Sequence, residues 1–178
     1  GLMQFEPDHW RQRSWRRFER QIQAGKPQEM AELVWTVELI HINNLAQVVE
    51  WCYEHRLEVD FSSKQNGLYD SESKTISIAS TAGPLRQVVY LLHECGHFLL
   101  EKNSEDPRYV NGYPTINEVK RESFRNRLAC LEEELEAWHR GWNLSERLQL
   151  NLEREQFDVI RVECIKSYCD WVSNKKKK

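Results

Sequence analysis

The stretch LLHECGHFLL, residues 91–100, limits the fold of this 178-residue chain more than any other segment. Its leucines, phenylalanine and cysteine favour burial, yet it carries two histidines and a glutamate. Burying three polar groups without a shared partner is costly, so the segment needs something on which those groups converge. On a helix, residues four apart lie one turn above each other on one face. His93 and His97 can therefore aim ring nitrogens at one point about 2 Å from each, while Glu94, about 100° further round, flanks that point. Two neutral nitrogens for a zinc ion, with a carboxylate beside them to take a proton from bound water, is what metal-assisted hydrolysis requires. At this chain's residue frequencies HExxH arises by chance in about two such chains in a hundred. A core histidine satisfied by hydrogen bonds is the plainer reading of one histidine on an apolar helix; it fits two histidines and a glutamate in one turn less well.

Zinc in a catalytic site takes a third protein ligand and keeps a fourth position for water. Downstream, CLEEELEAWHRGW (residues 130–142) offers Glu132, Glu133, Glu134, Glu136 and His139. Cys130, Glu134, Ala137 and Gly141 fall at i, i+4, i+7 and i+11, a narrow face of small residues around a single carboxylate. Glu134 is the expected ligand, with Glu136, Glu133 and His139 as alternatives. The small residues, with Gly96 between the two histidines, would let the two helices approach closely. Glu136 shares a face with Glu132, Glu133 and Arg140, as a solvated surface does, whereas Leu128, Leu131, Leu135, Trp138 and Trp142 are expected on the core side.

The remaining pattern predicts a helix-rich α+β chain with a small antiparallel sheet of about three strands. That sheet is expected to pack on the metal helix and the glutamate-bearing helix that follows. HWRQRSWRRFERQIQ reads as a first helix with Trp15, Phe18 and Ile22 on one face, and Gly25, Lys26 and Pro27 as a break. Residues 28–56 show two apolar stripes, Met30, Leu33, Val37 and Ile40, then Leu45, Val48, Val49 and Cys52. Their offset at Asn43 and Asn44 predicts two helices or a bend with an asparagine cap. LEVDF alternates as a half-buried strand does, and GLYDSESKTISIAS reads as a hairpin turning at Asp70 to Lys74, with Ile76 and Ile78 facing the core. Gly83 and Pro84 open the metal helix. Residues 103–115 read as a long loop placed as a lid, and Thr115 and Glu118 as a capping box for a helix running to Gly141. A last helix is expected to cap at Asn151, ahead of a solvated lysine tail. The expected organisation is a single domain: N-terminal helices over 1–56, a core over 57–142, and a C-terminal helix and tail over 143–178.

The five cysteines include no CxxC pair, and no run of about eighteen apolar residues occurs. Buried thiols, a cytoplasmic location and no membrane partner are the expectation. A net charge of -3 gives no chain-wide attraction to nucleic acid. A weak nucleic-acid contact would have to use the arginine- and tryptophan-rich N-terminal segment.

HECGH followed 37 positions later (134 - 97) by a helix reading ELEA resembles the HExxH...ExxA arrangement of gluzincin metallopeptidases. The likeness is to the ImmA/IrrE-like proteins of bacteria and their phages in particular. GLYDSESKTISIAS resembles the hairpin that precedes HExxH in that family, so the likeness covers about residues 57–142. It implies a zincin-like core, Zn2+ as cofactor, His93, His97 and Glu134 as its ligands, and Glu94 as general base. It also implies TISIAS as an edge strand able to hold an extended peptide or protein substrate by strand addition. Where related sequences place Asn or Asp after the alanine of ExxA, this chain has Trp138. His139, Tyr109 and Tyr113 are candidate oxyanion stabilisers. The resulting expectation is hydrolysis of peptide bonds by a zinc-bound water that Glu94 activates. The rival readings are a zinc-containing regulatory or binding protein of phage or bacterial origin without turnover, and a nucleic-acid-binding protein.

Overall fold

The computed structural model describes residues 3–64, 66–103 and 123–173. Among them are five α-helices and three strands, which makes the chain helix-rich α+β. In chain order the elements are α1 (Pro7–Gln23), α2 (Gln28–Glu54), β1 (Glu58–Ser63), β2 (Gly67–Asp70) and β3 (Thr75–Ala79). They continue with α3 (Pro84–Asn103), α4 (Phe124–Arg147) and α5 (Arg154–Ser173). The chain forms two compact units. The first comprises Gly1–Leu91 with Leu148–Leu152, the second Leu92–Arg147 with Glu153–Lys178.

In the first unit, α1 starts on Pro7 and ends in a Schellman turn: Gly25, at φ 78°, and Lys26 donate their N–H groups to Ile22 and Gln21. Its buried positions are Trp10 and Ser14; Trp15 and Ile22 are half exposed, so the expected face is not the one turned to the core. Trp15 and Phe18 instead cluster with Trp35 of α2. Several of the N-terminal arginines are engaged within the chain: Arg17 pairs with Glu38, and Arg11 reaches Asp8 and Asn43.

Helix α2 is continuous through Asn43 and Asn44, where a break was expected. Asn44 does not cap a helix. Its amide donates to the Asn151 carbonyl at 2.7 Å and accepts from the Asn151 N–H at 3.1 Å. The stripe Met30, Leu33 and Val37 is exposed, whereas Leu45, Val48, Val49 and Cys52 are buried.

The sheet is mixed, with order β1-β3-β2, rather than antiparallel. β2 and β3 form the expected hairpin, and Asp70 secures its turn by accepting from the Glu72 N–H and the Ser73 hydroxyl. β1 then lies parallel to β3 on the other side, Val59 beside Ile76. Thr75–Ala79 is therefore the central strand, not an edge, and both its margins are already paired. The register puts Leu57, Val59, Phe61, Ile76 and Ile78 in the core, as their alternation requires. Gln87 ties these parts together: it accepts from the Trp10 indole at 3.1 Å and donates to the Ala79 carbonyl at 3.0 Å.

In the second unit, α4 packs against α5, with Phe157 against Trp138 and Trp142. α4 does not stop at Gly141 but runs on to Arg147. Gly141 serves close packing there, because a β-carbon on it would stand 2.5 Å from the Leu92 carbonyl oxygen. Leu128 and Leu135, expected in the core, are exposed, while Cys130, Ala137 and Trp138 are buried. α5 starts at Arg154 rather than at Asn151, since the Asn151 backbone is held by Asn44. The Gln156 side chain reaches back to the Glu153 N–H at 3.2 Å to satisfy the new start. The expected lid, the Thr115 capping box and the lysine tail lie outside the described residues.

None of the five cysteines is in a disulfide; Cys52, Cys95 and Cys130 are buried, and Cys169 is exposed. Among the described residues no helix is long and apolar enough to cross a membrane.

Candidate metal centre

The second unit brings His93, His97 and Glu134 together. His93 and His97 sit one turn apart on α3, with their Nε2 atoms 3.0 Å from each other. Glu134 projects from α4, placing Oε2 3.0 Å from His93 Nε2 and Oε1 3.0 Å from His97 Nε2. One ligand atom from each of the three residues falls within 4.8 Å of the others, and no other such group occurs among the described residues.

Two helices can converge this closely because small residues line their contact. A β-carbon on Gly96 would collide with the Ala137 carbonyl oxygen and stand 2.7 Å from its carbon. Ala137 is itself fully buried. Gly96 thus lies between the two histidines and directly against the helix turn that carries Glu134. The i, i+4, i+7, i+11 face of Cys130, Glu134, Ala137 and Gly141 is the one that meets α3, as its spacing requires.

The donor set suits zinc. Ligands about 2.0–2.1 Å from a tetrahedral ion stand about 3.3–3.4 Å apart, close to the three 3.0 Å separations. Three ligands from the described residues leave one tetrahedral position for water or substrate. The charge distribution also favours a cation. Burial and the facing His97 push the His93 imidazole well below its ordinary pKa. Burial opposes charge on His97 too, but the carboxylates of Glu133, Glu134 and Glu94 outweigh it and raise that group to about 10. A divalent ion bound there would compete with a proton on His97 for the same carboxylates.

Glu94 is 8 % exposed on the turn between the histidines, and its charge acts on His97. The alternatives to Glu134 separate cleanly. Glu136 binds Arg140 at 3.0 Å and points away, and His139 lies beside Asn143 at 3.3 Å. Glu133 sits behind the site instead of in it, 3.8 Å from His97 Nδ1. Tyr109 and Tyr113 lie outside the described residues. Trp138, which periodicity marks as a core residue, also packs against His93 with ring centroids 4.1 Å apart and the rings tilted by 50°. Nothing in the α4 sequence distinguishes that contact from ordinary packing. Three successive glutamates, spread 100° apart, do signal that one neighbour of Glu134 must flank the site.

Compared with protein-family models, with curated proteins and with solved structures, the chain matches none.

Proposed function

We propose that the chain is a zinc-dependent metallopeptidase of the ImmA/IrrE-like kind, hydrolysing peptide bonds in a peptide or protein substrate. The observation that carries this reading is the convergence of His93, His97 and Glu134 on one point, with the buried carboxylate of Glu94 on the same helical turn. Zinc held there would supply Lewis acidity, polarising the scissile carbonyl and lowering the pKa of its water to about 7. Glu94 accepts the proton of the attacking water and passes it to the leaving amine. His93 and His97 act as neutral nitrogen ligands, and Glu134 contributes the one negative charge of the ligand set. Five cysteines without a disulfide support a cytoplasmic location, where bacterial and phage proteins of this kind would work.

The test is Glu94→Gln. The variant should retain zinc and lose about 10²–10⁴-fold in peptide hydrolysis. A substrate cleaved at the unaltered rate by that variant would overturn the assignment.

A second reading is a zinc-containing regulatory protein without turnover. One observation favours it: His93 Nδ1 is buried with no hydrogen-bond partner among the described residues, whereas ligand histidines ordinarily donate this N–H to an acceptor. That reading predicts a biological activity that survives Glu94→Gln.

A further inference from the structure

The two histidines differ in what stands behind them. A histidine that binds metal through Nε2 carries its proton on Nδ1, and the group facing Nδ1 fixes the ring's orientation and basicity. Behind His97 stands a carboxylate, Glu133 Oε1, 3.8 Å from Nδ1. That distance is a close charge contact rather than a formed hydrogen bond, and a small carboxylate rotation would close it. Beside His93 stands an aromatic ring. Trp138 lies 4.1 Å from it between centroids at 50°, and His93 Nδ1 has no hydrogen-bond partner among the described residues. Trp138 is in turn held edge-on by Phe157 at 5.5 Å, which links α5 to the metal helix through a single file of rings.

We infer that Glu133 and Trp138 are the positioning residues of this metal centre: Glu133 orients His97 by charge, and Trp138 holds His93 by packing its indole against the imidazole ring. The inference rests on the metal-binding reading and adds an asymmetry to it. A carboxylate behind an imidazole makes it a better electron donor; a packed indole ring brings no charge and no strong acceptor. His97 is then the stronger nitrogen ligand, and His93 depends on the rigidity of its neighbours. Glu133 takes this role without being a ligand, because Glu134 on the next helical position already faces both Nε2 atoms.

The experiment measures zinc affinity by competition with a chromophoric chelator, and the visible spectrum of the Co2+-substituted protein, for the full chain and four variants. Glu133→Ala should weaken zinc binding about 10–100-fold and shift the Co2+ bands, with the metal-free melting temperature unchanged. Glu133→Gln, which keeps the side chain's shape and an acceptor but removes the charge, should recover little of the loss. Trp138→Phe should stay within about threefold of wild type, since it keeps a ring face, while Trp138→Leu should weaken binding about 10-fold or more. Zinc affinity and Co2+ spectrum both unmoved in Glu133→Ala would overturn the inference even if Trp138→Leu fails to fold, because Glu133 is not a core residue. Wild-type protein that binds no metal would remove this inference together with the reading beneath it. Wild-type protein that binds zinc, with Glu133 variants indifferent, would remove this inference alone.

Discussion

Replacing Gly96 by alanine adds one methyl group where α3 and α4 touch. In an exposed helix interior that change stabilises by about 0.8–1.0 kcal/mol through helix propensity. Here the new carbon would collide with the Ala137 carbonyl oxygen and stand 2.7 Å from its carbonyl carbon, against about 3.5–4.0 Å for carbon atoms in contact. Both obstacles are helix backbone, so no rotamer relieves them, and the helices must part by roughly 1 Å. Overpacking of this kind costs about 1–3 kcal/mol, which offsets the propensity gain and leaves a net loss of up to about 2 kcal/mol. The same displacement would take the 3.0 Å separations between Glu134 and the imidazoles to about 4 Å, wider than the roughly 3.3–3.4 Å of a tetrahedral zinc site, and so weaken zinc binding. Urea unfolding followed by tryptophan fluorescence measures the first effect, and zinc titration the second. Gly83→Ala is the control: nothing lies within 4 Å of its added carbon, and stability should stay within about 0.5 kcal/mol. A Gly96→Ala variant as stable as wild type, with undiminished zinc uptake, would refute the close-approach argument.

Asn44→Ala should cost about 1–3 kcal/mol by leaving the Asn151 backbone N–H and carbonyl without their partner; an unchanged urea midpoint would contradict this. Leu33→Lys should change stability by no more than about 0.5 kcal/mol because Leu33 is 60 % exposed, whereas Leu45→Ala, at a fully buried position, should cost about 2–5 kcal/mol. Burial alone would raise the carboxyls of Asp60 and Asp158. Hydrogen bonds from Ser62 and Met3 to the first, and from Arg154 and Arg161 to the second, hold both below 3.8. A group with a depressed folded-state pKa stabilises above its unfolded value and loses that contribution as pH falls through the folded one. Their share of stability should therefore hold above about pH 5 and drain away below about pH 4. Asp60→Asn and Asp158→Asn should lose less than wild type over that interval in urea midpoints measured from neutral pH downward.

What the residues reveal on their own follows from how local each signal is. The hairpin at Asp70, the alternation of Val59 and Phe61, the start of α3 at Pro84 and the small-residue face around Glu134 are written in neighbouring positions, and each is found in the structure. The parallel placement of β1 against β3 is not local: which margin of Thr75–Ala79 a distant strand occupies depends on topology, and the edge strand that the family resemblance implied is central here. Asn44 misled for a related reason. An asparagine between two apolar stripes reads as a helix cap, but its amide partner, Asn151, lies more than a hundred positions away. The stripe of Met30, Leu33 and Val37 has the spacing of a buried face, and nothing in that spacing tells that this half of α2 is exposed. At the candidate metal centre the convergence of His93, His97 and Glu134 is legible because HExxH sets two of them one turn apart and helix periodicity selects the third. The neighbours of the histidines are not, because the distances of Glu133 and Trp138 from them are defined only by two packed helices.

The proposed function requires His93, His97 and Glu134 to form one zinc site. Elemental analysis of protein purified without added metal, beside His93→Ala and Glu134→Ala, tests it most directly. The expected result is about one zinc per wild-type chain and a marked loss in both variants. Wild-type protein free of transition metal that also fails to take up added zinc, or variants that retain as much zinc as wild type, would contradict it.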